Sequence, residues 1–194
     1  MKMYRVSILV ACLALLSAAA FAEEKDRDSD TKTFRASIAG TCSNKDDFSF
    51  TGTPAALAPG GALRIYCQVT GNSSFGQYHA NILAEEQLVG QCTANGASGF
   101  LADVKGYIAI LTFENGEQLF LQGNAGSECL TPPGVPAPGQ GTLSVAGGTG
   151  RFQGATGSIN HHLTPVALAF SVIPGSDGFI SAFSGTYDGS INLK

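Results

Sequence analysis

From Phe34 onward, apolar and polar residues alternate with a period of two, the spacing of strands rather than of helices. Leu63, Ile65, Cys67 and Val69 alternate with Arg64, Tyr66, Gln68 and Thr70. The same rhythm runs through Tyr78–Leu83, Val166–Ile173 and Phe179–Tyr187. Gly, Pro and Asn punctuate these runs, which predicts strands of about 6–10 residues. Helix is minor: Ala84–Val89 offers one turn at most. The pattern predicts an all-β domain over 34–194.

The clearest hairpin joins Tyr107–Phe113 to Gln118–Gln122 through Glu114-Asn115-Gly116-Glu117. Asn-Gly between apolar strands predicts a two-residue turn with both central residues at positive φ. In that register Glu114 faces Glu117, Thr112 faces Leu119, Ile110 faces Leu121 and Leu111 faces Phe120. One face then carries Ile108, Ile110, Leu119 and Leu121, and the other Leu111, Phe113 and Phe120. A lumen hides one of these faces, and the other needs cover. The cover is expected from a symmetric oligomer or from within, by segment 23–60 or the four-proline stretch Leu130–Gly141. That stretch cannot hold a ladder and reads as a long surface loop.

Composition narrows the class. The chain has 194 residues, 25 of them Gly, no Trp, and only 13% charged residues. So few charges exclude a coiled coil, a long helical bundle and a disordered polyelectrolyte. The N-terminus reads as an export signal. Lys2 and Arg5 precede the apolar run Val6–Ala20, and Ala20-Phe21-Ala22 is an A-x-A cleavage site. Residues 1–22 are therefore expected to be removed, and Glu23–Thr33 to form a flexible charged leader. No other apolar run is long enough to span a bilayer, so no membrane partner is expected. Cleavage removes Lys2 and Arg5 and leaves 9 basic against 15 acidic residues, a net charge of −6. Scattered basic residues in an acidic chain disfavour nucleic acid.

Cys12 leaves with the signal, and Cys42, Cys67, Cys92 and Cys129 remain. Four cysteines in an exported chain read as two disulfides with three connectivities. Neighbour pairing, Cys42–Cys67 and Cys92–Cys129, suits a meander of strands. Their spacing offers no C-x-x-C pair, so no metal is expected.

The densest motif is Gly147-Gly148-Thr149-Gly150-Arg151-Phe152-Gln153-Gly154-Ala155-Thr156-Gly157. It has neither G-K-[ST] nor G-x-G-x-x-G spacing, so it is no phosphate cradle. Gly147, Gly148 and Gly150 read as a tight turn, Arg151-Phe152 as the return into a strand, and Gly154 and Gly157 as a bulge or corner. Repeated corner glycines suit a small closed barrel. Residues 142–157 (TLSVAGGTGRFQGATG), with the ending SGTYDGSINL, resemble the allene oxide cyclase barrel-like proteins, relatives of the dirigent proteins. The resemblance spans roughly 60–194. It implies a calycin-like, closed antiparallel barrel of about eight strands. Its members include cofactor-free cyclases, isomerases and exported bacterial proteins, and trimers occur among them. No catalytic residue can be matched position by position.

Three side chains are candidates for binding or acid/base work. His161 and His162 are adjacent in a strand and point to opposite faces, so they cannot share a metal, and one of them can face the lumen. Glu114 opposite Glu117 would be a carboxylate pair at the hairpin tip. Arg151, the only basic residue between Lys105 and Lys194, is expected to pair with Asp103, Asp177 or Asp188, or to anchor an anion. No G-x-S-x-G elbow exists, and no cofactor is expected. Asn72-Ser73-Ser74 is a sequon that matters only in a eukaryotic secretory route. An eight-stranded barrel is filled by its own side chains or holds one small ligand. Phe113, Phe120, Phe170, Phe179, Phe183 and Tyr187 suit an apolar lumen. The expected function is an exported, periplasmic or extracellular barrel that is structural or binds a small apolar ligand. The alternative is a cofactor-free cyclase or isomerase.

Overall fold

The structure is a computed structural model that describes residues 30–44, 62–170 and 179–194. Eight strands follow in order: β1 (Asp30–Asn44), β2 (Ala62–Ser73), β3 (Gly76–Ala94), β4 (Ala97–Phe113), β5 (Gln118–Leu130), β6 (Gly139–Gly148), β7 (Thr156–Phe170) and β8 (Phe179–Leu193). Each pairs antiparallel with the next, and β8 pairs back onto β1, so the sheet closes into a ring. Among the described residues there is no α-helix, only the 3-10 turn Gly150–Phe152. The strands run from 10 to 19 residues, longer than the punctuation suggested. Glycines inside them do not stop the pairing, because a ring needs positions without Cβ where strands bend.

Three differences from the expected elements have clear causes. Residues 30–33 pair with the end of β8, from Asp30 opposite Leu193 to Thr33 opposite Ser190, and so belong to β1 rather than to a leader. The signal, its cleavage site and residues 23–29 lie outside the described residues. Ala84–Val89 is not a helical turn. It continues the alternation of β3, since cross-strand pairing overrides the helix preference of its Glu, Gln and Leu.

The third difference is the hairpin register. Leu111 faces Leu119, Thr112 faces Gln118 and Ile110 faces Phe120, one residue off the expected pairing. Gly116 has φ +82°, whereas Asn115 stays out of the positive region. The Phe113 amide donates to the Glu117 carbonyl and the Gly116 amide to the Phe113 carbonyl, both at 2.9 Å, closing a three-residue loop. One residue of slip exchanges the faces. Leu111, Phe113, Leu119 and Leu121 are inside, while Ile108 and Ile110 are exposed and Phe120 is half-buried outside. Leu111 and Phe113 therefore need no cover from another subunit. The apolar surface of this wall is Ile108, Ile110 and Leu83, which lies directly opposite Ile108. The Pro-rich loop does not cover it. That loop lies along β7, where the Gly134 and Ala137 amides donate to the Ala167 and Pro165 carbonyls.

The ring has two ends. At the base meet the β2–β3, β4–β5 and β6–β7 turns, where a cluster of rings forms. Phe152 stacks on Phe113 at 5.1 Å and meets Phe75 edge-on at 5.3 Å; Phe34 lies 6.1 Å from Phe75. The glycine motif builds this plug. A Cβ on Gly148 would strike the Gln118 carbonyl and crowd the Phe152 side chain at 2.7 Å. Gly150, at φ +58°, lets the chain turn so that Phe152 points inward. At the other end, the rim, lie the last residues of β1 and β7, the first residues of β2 and β8, and the β3–β4 turn.

Both expected disulfides are present. Cys42 and Cys67 are directly opposite on β1 and β2. Cys92 on β3 reaches past β4 to Cys129 on β5, passing Gly99, which stands opposite Cys92. Two disulfides are compatible with an exported protein. No helix among the described residues is long and apolar enough to cross a membrane. Replacing either pair by serine should cost about 2–4 kcal/mol, read from the urea midpoint. Thiol titration of the denatured, unreduced chain from Glu23 should find no free thiol.

Candidate functional site

The base holds two of the three candidates, Arg151 in the β6–β7 turn and Glu114 in the β4–β5 turn. Arg151 lies over the rings of Phe152, Phe113 and Phe75, at 5.0, 5.3 and 5.4 Å from their centroids. Its Nε pairs with Glu117 at 2.8 Å, and its Nη2 donates to the Phe75 carbonyl at 3.0 Å. The partner is thus Glu117, brought close by two turns of the same end. Of the expected acids, Asp103 pairs with Lys105, and Asp188 lies 3.9 Å from His162; Asp177 is outside the described residues. The Arg151 guanidinium is thus shared among rings, carboxylate and carbonyl and ties these turns together.

Glu114 and Glu117 do not form the expected pair, because the three-residue loop separates them. Glu117 accepts the Arg151 backbone N–H at 2.9 Å and the Asn115 side-chain amide at 2.8 Å. These bonds hold its carboxyl below the usual range. Glu114 is exposed and borders a larger cleft on the outer face, about 590 Å³, with Asn72, His79 and Thr112.

His161 faces the interior, while His162 points out. A Cβ on Gly141 would come within 2.7 Å of its Nε2, so the ring occupies space that a glycine leaves. It lies 5.3 Å from the Tyr107 ring and 6.4 Å from Tyr187. Burial, helped by His162 next door, lowers it to about 4, so it is neutral near pH 7. Its Nδ1 has no hydrogen-bond partner. The Tyr107 and Tyr187 hydroxyls are hydrogen-bonded at 2.7 Å, and Tyr78 donates to the Ser37 carbonyl at 2.9 Å. Burial raises all three phenols above their ordinary value.

Between this layer and the rim lies a chamber of about 50 Å³. Its walls are apolar: the Cys42–Cys67 disulfide, Ile65, Ile82, Leu163, Pro165 and Phe183. Tyr107, Ser181, Glu86 and Glu128 bring polar atoms into it. Glu86 follows Tyr78, Ala80, Ile82 and Ala84 on the inward side of β3 and is only 5% exposed. Its Oε2 has no hydrogen-bond partner. Glu128 is half-buried on β5, with β4 between, where Val104 faces Glu86 and Ala102 faces Glu128. Burial pushes Glu128 up to about 7, and burial plus the neighbouring Glu128 lifts Glu86 well above the usual carboxylate range. Near neutrality such a pair keeps a proton and presents an acid beside a base.

No protein-family model matches the chain, and no curated protein or solved structure matches it. The site must therefore be judged on its own chemistry. The expected His161 is in the interior; the carboxyls that line the chamber are Glu86 and Glu128, while Glu114 is exposed at the hairpin tip. Of the aromatics expected inside, Phe113, Phe183 and Tyr187 are buried and Phe120 is on the outer face. The side chains of Phe170 and Phe179 lie outside the described residues. Among the described residues no group of three or more His, Cys, Asp and Glu could hold a metal.

Proposed function

We propose that the chain is an exported β-barrel that holds part of a small, mainly apolar molecule in the chamber near its rim. The observation that carries this reading is the chamber itself, an apolar-walled space into which polar groups converge. At about 50 Å³ it has room for a few non-hydrogen atoms, so it suits one end of a small ligand. The family resemblance implies an eight-stranded barrel, and such a barrel is filled by its own side chains or holds one small ligand. A second reading, a cofactor-free cyclase or isomerase, is favoured by Glu86 and Glu128 beside Tyr107. A carboxylic acid and a carboxylate in an apolar chamber can give and take a proton on one small substrate.

Titrating ¹⁵N-labelled protein with n-butanol tests the binding reading. Amide shifts are expected at Ile65, Ile82, Ala84, Tyr107 and Phe183, and not at Phe34 or Phe152 in the base. Shifts spread evenly over the surface, or none at all, would refute the chamber as a binding site.

A further inference from the structure

A wholly apolar occupant would leave the most costly feature of the chamber unanswered. Glu86 is buried with Oε2 unpartnered, and Glu128 lines the same space. Among the described residues no cation compensates either carboxyl. Lys105, Arg64 and Arg151 pair with Asp103, Glu85 and Glu117, on the outer face or at the base. A buried carboxyl without a partner is retained at a cost, and a positively charged occupant would remove it.

On the reading above, we propose that the chamber binds the head group of a small primary alkylammonium compound, held between the carboxylates of Glu86 and Glu128. An ammonium has three N–H donors and one positive charge. The two carboxylates supply acceptors and the opposite charge, and the Ser181 and Tyr107 hydroxyls line the same space. Charge-assisted hydrogen bonds of this kind are about twice as strong as neutral ones. The methylenes beside the ammonium would lie against Ile65, Ile82 and Phe183. A quaternary ammonium has no N–H to donate to the two carboxyls, whereas a primary ammonium brings three. Among the described residues no group of three or more His, Cys, Asp and Glu could hold a metal ion here. A carboxylate or phosphate would meet two acids and no cation.

The test compares n-butylammonium, n-butanol and tetramethylammonium on the ¹⁵N-labelled chain at equal ionic strength and pH 8, above the range where Glu128 loses its proton. Butylammonium should bind about tenfold or more tightly than butanol, with shifts at Ile82, Ala84 and Tyr107. Glu86→Gln, or Glu128→Gln should the first fail to fold, should bring butylammonium down to the butanol level and leave butanol unchanged. Butanol binding as well as butylammonium to the native chain would overturn the ammonium proposal and leave the apolar-ligand reading standing. Tetramethylammonium binding as well as butylammonium would also overturn it, since a general attraction of cations would then suffice. Binding by none of the three would overturn the apolar-ligand reading and the proposal with it.

Discussion

Phe152→Ala should lower the unfolding free energy by about 3–5 kcal/mol, the usual cost of deleting a fully buried phenylalanine. Phe152 has no exposed surface and is the ring on which the base converges. It stacks on Phe113, meets Phe75 edge-on and carries the Arg151 guanidinium above it. Truncation leaves a void that the strands cannot close, because β4, β6 and β7 are held apart by their own ladders. It also removes one of the three rings under Arg151. Phe120→Ala, on the half-buried outer face, should cost far less. Urea unfolding of both variants measures the contrast. A loss below about 1 kcal/mol for Phe152→Ala would mean that the glycine motif does not seal the base.

The second large effect is the shape of the stability curve against pH, in which two sets of interior groups oppose each other. Glu86 and Glu128 have folded values raised above the unfolded 4.5. Their contribution is fully present below about pH 4.5 and is lost as pH rises through the folded values, about 7 for Glu128. His161 is lowered from 6.5 to about 4, so its contribution is present above 6.5 and lost as pH falls through 4. Each group changes stability by about 1.4 kcal/mol per pH unit within its window. Between pH 4.5 and 6.5 two carboxyls outweigh one imidazole, and the native protein should lose stability as pH rises. Glu86→Gln with Glu128→Gln should reverse the sign, leaving stability to rise with pH through His161 alone. His161→Leu should steepen the decline. Urea midpoints from pH 4.5 to 7.5 measure all three; a double variant that still declines would show that these carboxyls are not the cause.

Much of the ring can be read in the sequence, because alternation is a local signal. Leu63, Ile65, Cys67 and Val69 point into the ring as their period says, and Cys42–Cys67 falls on adjacent strands as neighbour pairing requires. What could not be read depended on one residue of turn geometry or on topology. Asn115-Gly116 fits either a two-residue turn or a three-residue loop, and the choice exchanges the faces of the hairpin. The two-residue turn with both central residues at positive φ occurs instead at Asn95-Gly96, at +49° and +78°, where weakly apolar flanks give little signal. Arg151 was conspicuous as an isolated cation, but its meeting with Glu117 needs two turns brought to one end of a closed sheet. Glu86 was hidden by its neighbours, since Ala84-Glu85-Glu86-Gln87-Leu88 reads locally as helix. Carrying the alternation on from Tyr78 and Ile82 would have placed it inside. Glu128 lies beyond the irregularity of the β5–β6 ladder between Gln122 and Ala125, which breaks the alternation that Leu119 and Leu121 begin.

The central claim is that Glu86 and Glu128 share a buried site inside the ring that no cation among the described residues compensates. It is tested most directly by following the side-chain carboxyl ¹³C resonances of the glutamates from pH 3 to 9. Two of them, assigned by Glu86→Gln and Glu128→Gln, should titrate above the usual carboxylate range, with Glu128 near 7 and Glu86 raised alongside it, while Glu117 titrates below that range. Removing either member should bring the other down by relieving the repulsion between them. Glu86 and Glu128 both titrating in the usual carboxylate range would contradict the claim.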